Sequence, residues 1–224
     1  AKRLAKKASY RSAGTVEFLY DEKVEKFYFL EVNTRLQVEH GITEEVMGVD
    51  LVEWMVKEAA GELYGIEDRT FTPNGHAIEV RVYAEDCINN FRPGGGKVDD
   101  VYFSDTARVE TWIRKNLEVT ALYDPMLAKL IVHGKYRNEA LEKMKKVLEE
   151  SVVYGVTTNM QYLKALIYTR DYEQAKLYTK MLEGFLPEEK ALEVLDGGVQ
   201  TTVQDYPGMI GYWTVGVPPC GAMD

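Results

Sequence analysis

The sequence predicts an α+β fold, on three observations. Apolar residues alternate with polar ones in short runs that read as strands, TVEFLY and HAIEVRVYAE among them. Elsewhere they recur at three- and four-residue spacing, as the buried face of a helix requires. Near residue 190 the vocabulary changes to glycine, proline, threonine and valine, which marks the edge of a separate β-rich unit.

The elements follow in order. Residues 1–9 read as the end of a helix, and Gly14 opens a strand over 15–20. The polar turn DEKVEK leads to a second strand, FYFLEV (27–32), which makes a β-hairpin. Asp50 is placed to cap the helix LVEWMVKEAA, with Gly61 as its stop. HAIEVRVYAE (76–85) is the next strand, FRPGGGK (91–97) a loop, and KVDDVYF and ARVETW two more strands. DPMLAKLIVHG (124–134) is apolar and ends on glycine. An amphipathic helix capped by Asn138 follows, with Ala140, Leu141, Met144, Val147 and Leu148 on one face. Two further helical stretches, about 158–168 and 172–183, lead into the linker LPEEK.

Composition removes several function classes. Hydrophobic residues make up 46% of 224, a normal globular balance. Lys and Arg number 27 against 36 Asp and Glu, a net charge of −9, which argues against non-specific nucleic-acid binding. The basic start AKRLAKK is a solvated helix face, since no apolar segment follows it as a targeting sequence needs. Cys87 and Cys220 lie far apart without CxxC spacing, so neither a disulfide scaffold nor a structural zinc site is expected, and a reducing cytoplasm fits. There is no run of about 18 apolar residues to cross a membrane. His40, His76 and His133 show no HExxH or HxxxH pairing and read as structural. The chain begins inside a helix and stops at GAMD without a closing element, so it reads as an excised segment.

The chemistry is concentrated in Glu31-Val-Asn-Thr-Arg-Leu-Gln-Val-Glu39. If this stretch is extended, Glu31, Asn33, Arg35, Gln37 and Glu39 share one face. A solvated strand face is the ordinary explanation, but this one mixes acid, amide and arginine with no Lys, Ser or Thr. A hairpin turn centred on Val24 places Glu17 directly opposite Glu31, where two like charges repel unless a cation or shared proton intervenes. Two carboxylates and the Asn33 amide form a hard oxygen site suited to Mg²⁺ or Mn²⁺ that also carries substrate phosphates. Arg35 suits a small planar anion, and Glu39 suits a base if burial raises its proton affinity. Arg81 shares a strand face with Glu79 and Tyr83, and an ion pair with Glu79 is its ordinary explanation.

These stretches resemble a known family. GTVEFLY, FYFLEVNTRLQVEHGITEEVMGVDLVEW, HAIEVRVYAED and YDPMLAKLIVHG are similar to the C-terminal half of the biotin carboxylase family, an ATP-grasp fold, over about residues 1–184. The resemblance implies an ATP-grasp C-terminal lobe over 1–90 and the biotin carboxylase C-terminal subdomain over 91–186. It also implies that Glu17, Glu31 and Asn33 hold the Mg²⁺ or Mn²⁺ ions that bridge ATP phosphates. Arg35, Gln37 and the backbone of Val38 would bind bicarbonate, and Glu39 would be the base that deprotonates it. Arg81 would steady carboxyphosphate and the biotin enolate. PGGGK stands where the family commonly has PSPGK, and Lys115-Asn116 where it has a glycine.

The tail, DGGVQTTVQDYPGMIGYWTVGVPPCGAMD, resembles the opening of the carboxyltransferase domain of the urea carboxylase family, so a β-rich domain would begin over 187–224. In that family Met209 is usually Arg and Cys220 usually Ser. The lysines that contact ATP are expected before residue 1, and the biotinyl lysine on a carrier domain after residue 224. The readings are then a urea carboxylase, a guanidine carboxylase, an acyl-CoA or pyruvate carboxylase, or a non-catalytic assembly module. The last would be expected to lack Glu17, Glu31, Arg35 or Glu39, and the acyl-CoA or pyruvate enzymes would not continue into TTVQDYPG. The implied partners are the carrier and carboxyltransferase domains of the same polypeptide, urea or guanidine, and possible further copies of the chain.

Overall fold

The computed structural model describes residues 1–66, 68–178 and 180–186, together with the backbone of 191–196 and 199–204. The chain forms two compact units, Ala1–Ala77 and the residues from Ile78 onward.

The first unit opens with α1 (Lys2–Lys7), followed by the antiparallel pair β1 (Thr15–Asp21) and β2 (Lys26–Asn33). At the open end of this hairpin Thr15 pairs with Asn33, Val16 with Val32 and Glu17 with Glu31, the register expected for a turn about Val24. At the closed end the partners are Phe18 and Phe29, then Leu19 and Tyr28, one residue out of that register. A β-bulge between the two sections reconciles them, with Leu30 as the extra residue. Two helices follow, α2 (His40–Met47) and α3 (Leu51–Ala60). Gly48 ends α2 in the left-handed conformation at φ 65°. Asp50 caps α3 as expected, its side chain accepting from the Glu53 N–H at 2.7 Å. The buried Glu44 carboxylate accepts from the Leu51 N–H at 2.7 Å and so closes the α2–α3 corner. The sequence did not announce α2, because its N-cap is Glu39 with no side-chain cap hydrogen bond.

The second unit takes in β3 (His76–Tyr83) from Ile78 onward, followed by the short strands β4 (Glu85–Asp86), β5 (Arg92–Pro93) and β6 (Gly96–Lys97). Next come β7 (Asp100–Tyr102), β8 (Arg108–Thr111), β9 (Glu118–Val119) and β10 (Met126–Gly134). The chain continues through α4 (Arg137–Glu150), β11 (Val152–Tyr154), α5 (Met160–Ile167) and α6 (Arg170–Glu173). A hairpin of β12 (Ala191–Asp196) and β13 (Val199–Gln204) begins where the change of vocabulary falls. Met209 and Cys220 lie outside the described residues.

The central sheet has the order β3-β10-β8. Strand β3 alternates, burying Ile78, Val80 and Val82, whereas β10 is buried almost throughout, as a strand covered on both faces must be. Helix α4 packs on β10 through Ala140, Leu141, Met144, Val147 and Leu148, the five residues the period selected. Its cap differs from expectation. The N-cap is Tyr136, Asn138 lies inside the first turn, and the Glu139 carboxylate accepts from the Lys135 N–H at 2.9 Å instead. Among the described residues of the stretch expected to be helical over 172–183, only those in α6 are helical, because Ala175 turns left-handed at φ 55°. The helix expected from 158 starts at Met160, since Asn159 is engaged with β3. Gly155, at φ 89°, fits where a Cβ would lie 2.1 Å from the Lys97 carbonyl oxygen.

Candidate functional site

At the open end of the hairpin, β1 and β2 hold their acidic residues side by side. The Asn33 Nδ2 donates to Glu17 Oε1 at 2.8 Å and to Glu31 Oε1 at 2.9 Å. The Gln37 Nε2 donates to the same Glu17 oxygen at 2.9 Å. Two carboxylates thus converge on one small donor, which is where a cation offsets their repulsion. A half-turn of the Asn33 amide substitutes its oxygen for its nitrogen, giving two carboxylates and an amide carbonyl. This hard oxygen set fits Mg²⁺ or Mn²⁺.

Strand β2 ends at Asn33, so the extended face expected to run through Glu39 is interrupted. A bend at Arg35 and a turn at Val38-Glu39 carry the chain into α2. The turn still gathers the same side chains: Arg35, Gln37 and Glu39 line one cavity of about 710 Å³ whose far wall includes Leu51, Trp54 and Met55. The Arg35 Nη1 donates to the Leu36 carbonyl at 3.3 Å. His40 Nδ1 lies 2.9 Å from the Gln37 carbonyl oxygen and braces the turn. Val38 sits half-buried within that turn, and Glu39 is exposed.

Arg81 belongs to the second unit. It projects from β3 on the face of Glu79 and Tyr83, with its Nε 3.7 Å from Glu79 Oε1, the pair expected from their spacing. The Arg81 side chain keeps 34% of its surface while the Glu79 side chain keeps 5%, so a buried carboxylate braces a partly exposed arginine. Asn159, which the sequence did not single out, hydrogen-bonds to the backbone on both sides of Val82. Its Oδ1 accepts from the Tyr83 N–H at 2.9 Å and its Nδ2 donates to the Arg81 carbonyl at 3.1 Å. The only signal was a polar residue, Asn159, ahead of an apolar helix, which marks a cap more often than a clamp. Cys87 is buried and free, its thiol pushed up by burial, so it has no thiolate character.

A family model for the biotin carboxylase C-terminal domain matches residues 79–184. One for the ATP binding domain of the carbamoyl-phosphate synthase L chain matches residues 1–65. The urea amidolyase of Saccharomyces cerevisiae is 50% identical over 224 residues, all of this chain and 12% of that protein. The crystal structure of the Kluyveromyces lactis urea carboxylase superposes with a TM-score of 0.82 at 50% identity, covering 97% of this chain and 19% of that one. The biotin carboxylase domain of the Hydrogenobacter thermophilus 2-oxoglutarate carboxylase, solved with MgADP and bicarbonate, matches at 40% identity and a TM-score of 0.74. It covers 80% of this chain and 40% of that one. The chain thus spans 12% of the urea amidolyase, 19% of the urea carboxylase and 40% of the 2-oxoglutarate carboxylase chain. Among the described residues no helix is long and apolar enough to cross a membrane.

Proposed function

The chain belongs to the biotin carboxylase family, and on that premise we propose that its parent enzyme carboxylates biotin with ATP and bicarbonate and passes the carboxyl group to urea. The convergence of Glu17 and Glu31 on a single donor carries the first half of this reading. Mg²⁺ or Mn²⁺ bound there would neutralise charge on the ATP phosphates. Glu17 and Glu31 supply its anionic ligands and Asn33 a neutral one, while Gln37 orients Glu17 from the side. Arg35 and the Val38 backbone hold bicarbonate, and Gln37, on the same turn, adds an amide donor. Glu39, at the edge of the same cavity, takes the bicarbonate proton so that the oxygen attacks the γ-phosphorus, the bond to the β–γ bridging oxygen breaks, and ADP leaves as carboxyphosphate forms. Closure of this exposed site by the remainder of the polypeptide would supply the desolvation that Glu39 lacks here. Arg81 steadies the anionic carboxyl donor. Biotin supplies the nitrogen that carries the carboxyl group to the second site, borne on a carrier domain of the same polypeptide.

The acceptor is read from the tail. The urea amidolyase relative matches through it, whereas the 2-oxoglutarate carboxylase match covers 80% of the chain. Urea is small, planar and rich in N–H donors, so a tight pocket of acceptor oxygens would recognise it. A cytoplasmic setting accompanies this reading, and self-association is open to direct measurement. The test is to give the full-length biotinylated protein ATP, Mg²⁺ and bicarbonate and measure phosphate release with urea, guanidine, pyruvate or an acyl-CoA. Urea is expected to stimulate release. Stimulation by pyruvate or an acyl-CoA alone overturns the acceptor and leaves the biotin carboxylation step standing.

A further inference from the structure

We propose that Asn159 is a positioning residue for Arg81, fixing the stretch of β3 that presents the guanidinium; the functional half of this proposal rests on the reading of Arg81 given above. The argument begins with the alternation of a strand. The Arg81 carbonyl and both the N–H and the carbonyl of Tyr83 bond to Asn159, so the backbone groups of the even-numbered residues of β3 are the ones turned to its strand partner β10. Those of Arg81 and Tyr83 then face the other edge, where β3 has no strand partner among the described residues. An uncovered edge frays, and a side chain carried on it moves with it.

Asn159 covers that edge as a strand would. Its side-chain amide, like a peptide unit, donates to the Arg81 carbonyl at 3.1 Å and accepts from the Tyr83 N–H at 2.9 Å. Its own backbone N–H donates to the Tyr83 carbonyl at 3.1 Å. The residue is 7% exposed, so water does not compete for these bonds. The clamp therefore holds both peptide groups flanking Val82 and sets the direction in which Arg81 leaves the strand, while Glu79 limits the swing of its side chain. The Arg81 side chain itself remains a third exposed. A rigid base beneath a partly exposed arginine is what a group that must meet a small anion in one geometry needs.

The test uses the full-length biotinylated enzyme with ATP, bicarbonate, Mg²⁺ and the acceptor, in the variants Asn159→Ala, Arg81→Ala and the double variant. Asn159→Ala is expected to lower kcat about 10- to 100-fold with the KM for ATP unchanged. The double variant is expected to be no worse than Arg81→Ala alone, because a residue that acts only through Arg81 has nothing left to position. Hydrogen exchange at the Tyr83 amide is expected to speed up while amides of α4 keep their protection. If Asn159→Ala does not fold, Asn159→Asp decides instead, since it keeps the acceptor for the Tyr83 N–H and removes the donor to the Arg81 carbonyl. Normal turnover in the Asn159 variant beside a crippled Arg81→Ala overturns the positioning role and leaves Arg81's function intact. Losses that add in the double variant overturn it as well. Normal turnover in Arg81→Ala sinks the functional reading of Arg81, and the exchange data then assign Asn159 to the fold alone.

Discussion

Glu17 sits directly across the hairpin from Glu31, and the bulge at Leu30 is what puts it there. Continued without the bulge, the closed-end register would set Glu17 against Leu30 and send the two carboxylates to opposite faces. The arrangement costs a ladder position and brings like charges together, which has a rationale if a cation binds between them.

Glu31→Gln in the full-length enzyme is therefore expected to reduce bicarbonate-dependent ATP cleavage about 100-fold or more, because an amide does not replace a carboxylate shared with phosphate-bound metal. Glu17→Gln is expected to be milder and to be partly restored by raised Mg²⁺, since on the proposed assignment Glu31 and Asn33 would still hold one ion. Steady-state rates across a metal titration check both. A Glu31→Gln enzyme with near-normal turnover ends the metal assignment.

Glu39→Gln separates binding from proton transfer. Turnover is expected to fall by about 10²–10⁴-fold, the usual worth of a general base. Nucleotide affinity is expected to hold, measured by equilibrium binding of an ATP analogue. An equal loss in affinity would make Glu39 a structural residue of the turn into α2.

The hairpin, α3 and α4 were legible because alternation, caps and the 3.6-residue period are local signals. The pairing of Glu17 with Glu31 was legible too, but for an incomplete reason, since one symmetric turn does not reveal a bulge. What escaped the sequence was non-local. Helix α2 starts without a capping side chain, and its end is tied through Glu44 to the start of α3. Asn159 meets β3 across 76 and 78 residues, a distance at which no spacing rule operates. Alternation puts Arg35, Gln37 and Glu39 on one face only if the run is extended, and a turn brings the same three to one cavity instead, which a period of two does not reveal.

Gly155→Ala tests the core beside α5. A Cβ there would lie 2.1 Å from the Lys97 carbonyl and 2.8 Å from the Asp99 N, both backbone atoms, in a residue already at φ 89°. Overpacking and left-handed strain each cost about 1–3 kcal/mol, so a loss of roughly 2–6 kcal/mol is expected. Faster limited proteolysis around β7 and β11, which pair beside this contact, reports it. Unchanged protection in Gly155→Ala would mean that the loop moves aside freely.

The final prediction concerns acid stability. Lys129 lies in the middle of β10 with only 7% of its side chain exposed, directly opposite Glu110 on β8, and the two form an ion pair at 2.5 Å. Arg108 shares the same carboxylate. Burial pushes the Glu110 carboxyl up, but hydrogen bonds and charge from Lys129 and Arg108 outweigh it and hold the group below its ordinary value. A depressed carboxyl binds fewer protons folded than unfolded. Its stabilisation is therefore complete above the unfolded value of about 4.3 and is lost as pH falls through the lower folded value. Removing the acid leaves a buried ammonium, so Glu110→Gln is expected to cost up to roughly 3–5 kcal/mol at neutral pH and to flatten the acid limb of the stability profile. Lys129→Met fills the same volume without a charge and leaves Glu110 its arginine, so it is expected to be close to neutral. Denaturant unfolding of the three proteins between pH 3 and 7 checks both. If Glu110→Gln and wild type lose stability in parallel on acidification, this carboxylate does not govern the acid limb.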